Sequence, residues 1–101
     1  MPRNRNRQHV QEMYEAILKL QSVEQCQQFF IDLCSPSELS AMEQRFAVAD
    51  LLMKDTVYLD ILEKTNASTA TISRVNRMLR DGTGALPQIL EQMQTEKEQA
   101  E

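Results

Sequence analysis

The sequence contains no tryptophan, one histidine, two glycines, three prolines and two cysteines. A single histidine gives neither a zinc cluster nor a charge-relay pair of its own kind, so His9 reads as a surface side chain. With so few glycines, a phosphate-cradling loop has nothing to be built from. Cys26 and Cys34 stand eight apart in one helical pattern, about 12 Å along the axis at the usual rise. That is too far for a bridge within the helix, so both are expected as reduced core thiols. There is no signal peptide and no apolar stretch long enough to span a membrane, which points to a cytoplasmic protein without a membrane partner. No nucleophile has a nearby base, so no catalytic residue is assigned and no enzyme activity is expected.

What is present is helix-forming. Apolar residues make up 42% of 101 positions, enough for one small domain that pairing with a second copy would help to stabilise. Few β-branched runs and little glycine or proline predict an all-α chain. The formal charge of −4 opposes indiscriminate binding to nucleic acid, but the charge is unevenly spread. Arg3, Arg5 and Arg7 make a basic leader, Arg74 to Arg80 is basic, and the end after Gln94 is acidic. Residues 1–7 are expected to be disordered, either as a solvated leader or as a DNA-contacting arm. The folded domain is expected over 8–95 and a frayed acidic tail over 96–101.

Taken in order, Val10, Met13, Tyr14, Ile17 and Leu18 give a first amphipathic helix over 8–20. Ser22 caps a second helix with Gln25 as its capping-box partner, and Val23, Cys26, Phe29, Phe30, Leu33 and Cys34 form its apolar side. This second helix is expected to anchor the core. The apolar faces of the two helices exceed what one small unit needs for itself and suggest a dimer interface. Ser35-Pro36-Ser37-Glu38 is a third helix start, with Ser35 as N-cap, Pro36 in the first turn and Glu38 closing the box. That helix runs to about Lys54 with Leu39, Met42, Phe46, Ala49 and Met53 on one face. Arg45 interrupts the apolar region and is expected on a solvated edge beside Glu38 or Glu43. Asp81-Gly82-Thr83-Gly84 is a break. Leu86, Ile89, Leu90 and Met93 mark the last helix.

The segment 58–80 carries the functional signal. Ile61 and Leu62 lie on one short helix, and Ile72, Val75 and Leu79 form the buried stripe of the next. Between them Asn66 occupies a position that needs positive φ, and Ser68 caps the second helix. The opposite face carries Thr69, Ala70, Ser73, Asn76, Arg77 and Arg80. Its start is slim enough to approach base edges, and its guanidiniums can meet phosphates. A helix-turn-helix that reads DNA is the first functional expectation. A helical protein-interaction module that has lost DNA binding is the alternative, favoured by the acidic balance.

The stretches SPSELSAMEQR (35–45) and ASTATISRVNRML (67–79) resemble the Trp repressor superfamily, in its small Trp-repressor-related bacterial branch. The first is similar to a Thr-Pro-x-Glu helix opening that ends in an arginine. The second is similar to the recognition helix, whose Ala-Thr-Ile-Thr-Arg core stands here as Ala70-Thr71-Ile72-Ser73-Arg74. The likeness covers about half of the chain. It implies a six-helix TrpR-like fold in an intertwined homodimer, a roughly palindromic double-stranded DNA operator and a repressor. It sets Thr69, Ala70 and Ser73 against bases, with Thr71 and Arg77 nearby, within a candidate contact set of Ser68, Thr69, Ala70, Thr71, Ser73, Asn76, Arg77 and Arg80. It also implies an effector pocket at Ser35, Arg45, Arg74 and Val75, where the repressor's two arginines sandwich an indole. Val75 replaces a glycine there and Met78 a serine, changes that crowd an indole and remove a polar contact. No cofactor or metal is therefore expected, and a tryptophan-like corepressor remains the alternative. Asp60 and Glu63 lie where cations would help on phosphates, and Leu62 replaces a small residue at the helix crossing.

Overall fold

The computed structural model describes residues 7–100, which form six helices and no strand. They are α1 (Arg7–Ile17), α2 (Val23–Leu33), α3 (Pro36–Met53), α4 (Tyr58–Thr65), α5 (Thr69–Asp81) and α6 (Ala85–Ala100). The chain divides into two compact units, one ending at Leu39 and the other beginning at Ser40. Residues 1–6, most of the expected basic arm, lie outside the described part, whereas Arg7 begins α1.

In the first unit α1 ends three residues sooner than its apolar pattern predicts. The amides of Lys19 and Leu20 bond back three residues, to Ala16 and Ile17, so the helix tightens and stops. The Ser22 hydroxyl accepts from the Gln25 amide at 3.0 Å, and the Gln25 side chain reaches back to the amide of Gln21 at 2.8 Å. The reciprocal cap therefore forms one residue earlier than the standard box. Phe29 and Phe30 meet edge to face with ring centroids 5.4 Å apart. Yet α2 contains no buried residue. Val10, Met13, Tyr14, Leu18, Val23, Ile31 and Leu33 are all exposed, Leu18 to 85%. The expectation that α2 anchors the core is thus overturned, because periodicity identifies an apolar face without saying what covers it. Cys26 and Cys34 are free and half-buried, so they are not core thiols, and Cys34 caps the end of α2.

The core belongs to the second unit. Val48 and Ala49 of α3, Ile61 of α4, Ala67 of the turn, Ile72 and Val75 of α5 and Leu90 of α6 are buried together. Leu51, Leu52, Met53, Leu62, Leu79 and Leu86 pack around them. Val48 and Ala49 are neighbours about 100° apart on a helix of 3.6 residues per turn, and both are fully buried. Only a helix covered over a wide arc can do this. Burying Ile61, Val48 or Val75 contributes roughly 1.5–3 kcal/mol each. Met42 and Phe46, expected on the same face, remain 41% and 42% exposed.

Two left-handed residues shape the connections. At the end of α3 the Thr56 amide donates to Leu51 O and the Asp55 amide to Leu52 O, both at 3.1 Å, with Asp55 at φ 55°. This is a Schellman closure with aspartate where glycine is usual. Gly84 precedes α6 at φ 95°, the one described glycine with a backbone that L side chains avoid. The last helix continues to Ala100, so the tail expected to fray from residue 96 is helical to that point. Gln92 donates to Glu96 and Gln94 to Glu98, both at 3.3 Å, and such pairs at i,i+4 stabilise an exposed helix of good formers.

Candidate nucleic-acid interface

The site is built by α4, the three-residue turn and α5. Asn66 ends α4 at φ 58° and ψ 21°, and its amide donates to Leu62 O at 2.9 Å. Asparagine tolerates this region better than other side chains because its short amide can bond locally. Thr65 pins the corner from both sides. Its hydroxyl donates to Ile61 O at 2.7 Å and accepts from the Ala67 amide at 3.2 Å. From α3 the Gln44 side-chain amide donates to Thr65 O at 3.1 Å. Ala67 is buried within the corner, where a larger side chain would have no room.

Ser68 then caps α5. Its hydroxyl accepts from the Thr71 amide at 3.1 Å and also bonds the Thr71 hydroxyl at 3.0 Å. These two candidate contacts are therefore occupied in part with each other, and Thr71 is half-buried. The first intrahelical bond is Ile72 N to Ser68 O. The amides of Thr69 and Ala70 precede it and point along the helix dipole, a disposition that suits an anion. Ile72 and Val75 face the core, and this leaves Thr69, Ala70, Ser73, Asn76, Arg77 and Arg80 exposed, as the sequence predicts. Arg80 lies 3.4 Å from Asp81 in a solvent-exposed pair that holds it only weakly. Across α5 three arginines stand against one aspartate, so this helix is locally basic in an acidic chain.

The residues expected to line an effector pocket have different fates. Val75 is fully buried in the core and presents no surface. Arg45 is half-buried on α3 and Arg74 exposed on α5; neither takes part in an ion pair among the described residues, so the expected Arg45 link to Glu38 or Glu43 is not formed. Ser35 belongs to the other unit and is committed to its cap: its hydroxyl accepts from the Glu38 amide at 3.2 Å and its amide donates to the Glu38 carboxylate at 2.8 Å. The bond that the Ser35 amide donates to the carboxylate, with the nearby Ser35 side chain as the lesser cause, holds Glu38 below its ordinary pKa of 4.5. A surface cavity of about 610 Å³ lies elsewhere, along α6 from Gly84 and Pro87 to Glu96. His9 is exposed, 3.3 Å from Glu12. Among the described residues no cluster of His, Cys, Asp or Glu could hold a metal, and no helix is long and apolar enough to cross a membrane.

Two features of the site escaped the sequence. Gln44 gave no signal because its partner is a backbone carbonyl 21 positions away. Asp55 could have been found: Lys54-Asp55-Thr56 follows the last apolar residue of α3, and aspartate is among the residues that tolerate the left-handed region.

Comparison with known proteins agrees with this architecture. The family model for Trp repressor protein matches residues 8–94. The uncharacterized protein YerC of Bacillus subtilis (strain 168) is 41% identical over 88 residues, which span 86% of this chain and 85% of that protein. A TrpR-like protein of Eubacterium eligens has a crystal structure that superposes with a TM-score of 0.81 at 43% identity, covering 89% of this chain and 94% of the other. A candidate Trp repressor of Staphylococcus aureus superposes at 0.82 with 38% identity, covering 93% and 94%.

Proposed function

The chain belongs to the Trp repressor family, a family of DNA-binding regulators rather than enzymes, and from that premise we propose that it is a sequence-specific transcriptional repressor acting as a homodimer. Each subunit offers α5 to a major groove, and two copies related by a two-fold axis read a roughly palindromic operator with half-sites about 34 Å apart. Thr69, Ala70 and Ser73 meet base edges, Arg77 and Arg80 meet phosphates, and Asn76 lies between the two groups. The compartment proposed for it is the cytoplasm. The single observation that carries this function is the exposed, slender and locally basic face of α5, held outward by the Asn66 corner and the Ser68 cap. The apolar side chains left uncovered in the first unit support a second copy as the partner.

The decisive measurement is fluorescence anisotropy with genomic fragments at low and moderate salt. Specific complexes persist at moderate salt, with a slope set by the few phosphate contacts available. Arg77→Ala weakens them about tenfold. Binding to no fragment at either salt, with Arg77→Ala without effect, rules out the DNA function. A helical protein-interaction module is the second reading, favoured by the net charge of −4. A stable protein partner that co-purifies while no DNA is retained selects it.

A further inference from the structure

Among the described residues, side-chain hydrogen bonds almost all close within four positions of chain: caps, i,i+4 pairs and turn contacts. The bond from Gln44 Nε2 to Thr65 O spans 21 positions and is part-buried. It is the one such bond that ties separate helices together. It also lands where the second unit is otherwise held by apolar contact, which is non-directional and fixes an angle poorly. Thr65 O is a carbonyl at the end of α4, a group that the helix itself leaves without a partner. The same residue's hydroxyl organises the corner through Ile61 O and the Ala67 amide. A side chain on α3 thus grips the residue from which the chain turns into α5.

We propose that Gln44 is a positioning residue for DNA recognition: by holding the Thr65 carbonyl it fixes the angle at which α5 leaves the corner. This rests on the DNA-binding function proposed above. Gln44 touches no base in this scheme and acts through Thr65. Methionine has nearly the same length and shape but no donor, so Gln44→Met leaves the carbonyl unsatisfied and the corner free to rock. Gln44→Lys restores a donor, and its charge suits the C-terminal end of α4.

The test has two arms. In the first, amide hydrogen exchange is measured on the full chain without DNA. Gln44→Met lowers protection at Asn66 and Ala67 by about fivefold, the worth of one hydrogen bond. Val48 and Val75 keep their protection, and Gln44→Lys recovers the corner. In the second, the ratio of operator affinity to affinity for unrelated DNA is measured well below the melting temperature. That ratio falls about tenfold in Gln44→Met and returns in Gln44→Lys, because a misaimed helix loses base contacts before phosphate contacts. Unchanged corner protection overturns the latch. Loosened protection with an unchanged ratio, or a drop in melting temperature alone, overturns its role in recognition. If the wild-type chain binds no DNA, the function proposed above fails by itself and the exchange arm still decides the latch.

Discussion

From Ser40 onward seven apolar side chains are withdrawn from solvent, whereas among described residues before it none is, although both stretches repeat apolar residues at helical spacing. In the second unit short helices bracket a corner, and Ile61, Ala67, Ile72 and Val75 are delivered to one point from three consecutive segments. In the first unit the pattern is as clear, yet Val10, Met13, Tyr14 and Leu18 lie open on α1 and Ile31 and Leu33 on α2. An amphipathic pattern is therefore a statement of demand. Whether the chain meets that demand by itself depends on what else it brings to the same place, and here only the C-terminal part does so.

The contrast can be broken most directly in the core. Ile61→Ala costs about 3 kcal/mol in urea unfolding, from lost burial and the cavity left behind. Leu18→Ala, at an open position, costs less than about 0.5 kcal/mol in the monomer. Equal losses would show that the first unit has a core of its own. Next comes association. Leu18→Glu with Val23→Glu weakens self-association about 100-fold in sedimentation, and the melting temperature ceases to depend on concentration. A dimer untouched by this pair would move the interface away from α1 and the start of α2. Smaller effects come from the corner: Asn66→Ala keeps a Cβ in the left-handed region but loses the amide that eases it there, and costs about 1 kcal/mol, whereas Asn66→Gly is close to neutral.

The smallest effect sits at the boundary between the units and depends on pH. Glu38 has its pKa lowered in the folded chain by bonds from Ser35, so folding favours its ionised form. Its contribution is complete above the ordinary value of 4.5 and fades as pH falls below it through the folded value. Glu38→Gln therefore lowers the melting temperature slightly at neutral pH and not at all once the native carboxyl is protonated. A difference that widens in acid would contradict the assigned bonds.

How legible the chain is depends on the range of the interaction. The Asn66 corner, the Ser68 cap and the Ser35–Glu38 box can be read from sequence because donor and acceptor lie within four residues. So can the open face of α5, since Ile72 and Val75 fix which side turns inward. The placement of the core could not be read, because α2 presents Phe29 and Phe30 with the same periodicity as a core helix and differs only in what lies opposite. Val75 was legible as a core residue and as a pocket residue alike, and it is completely buried among the core side chains. The acidic tail misled through composition: glutamate and glutamine solvate well but are also good helix formers, and α6 uses them for the latter.

Tyr14 lies exposed on α1 and Tyr58 opens α4, one phenol in each unit of a chain with no indole. Intrinsic emission therefore comes from two chromophores that single replacements by phenylalanine can separate. A chain keeping only Tyr14 reports events in the part left uncovered, and one keeping only Tyr58 reports events at the start of the helix that leads into the corner. The proposed assembly and the proposed DNA engagement can thus be tested as distinct optical signals without attaching a dye.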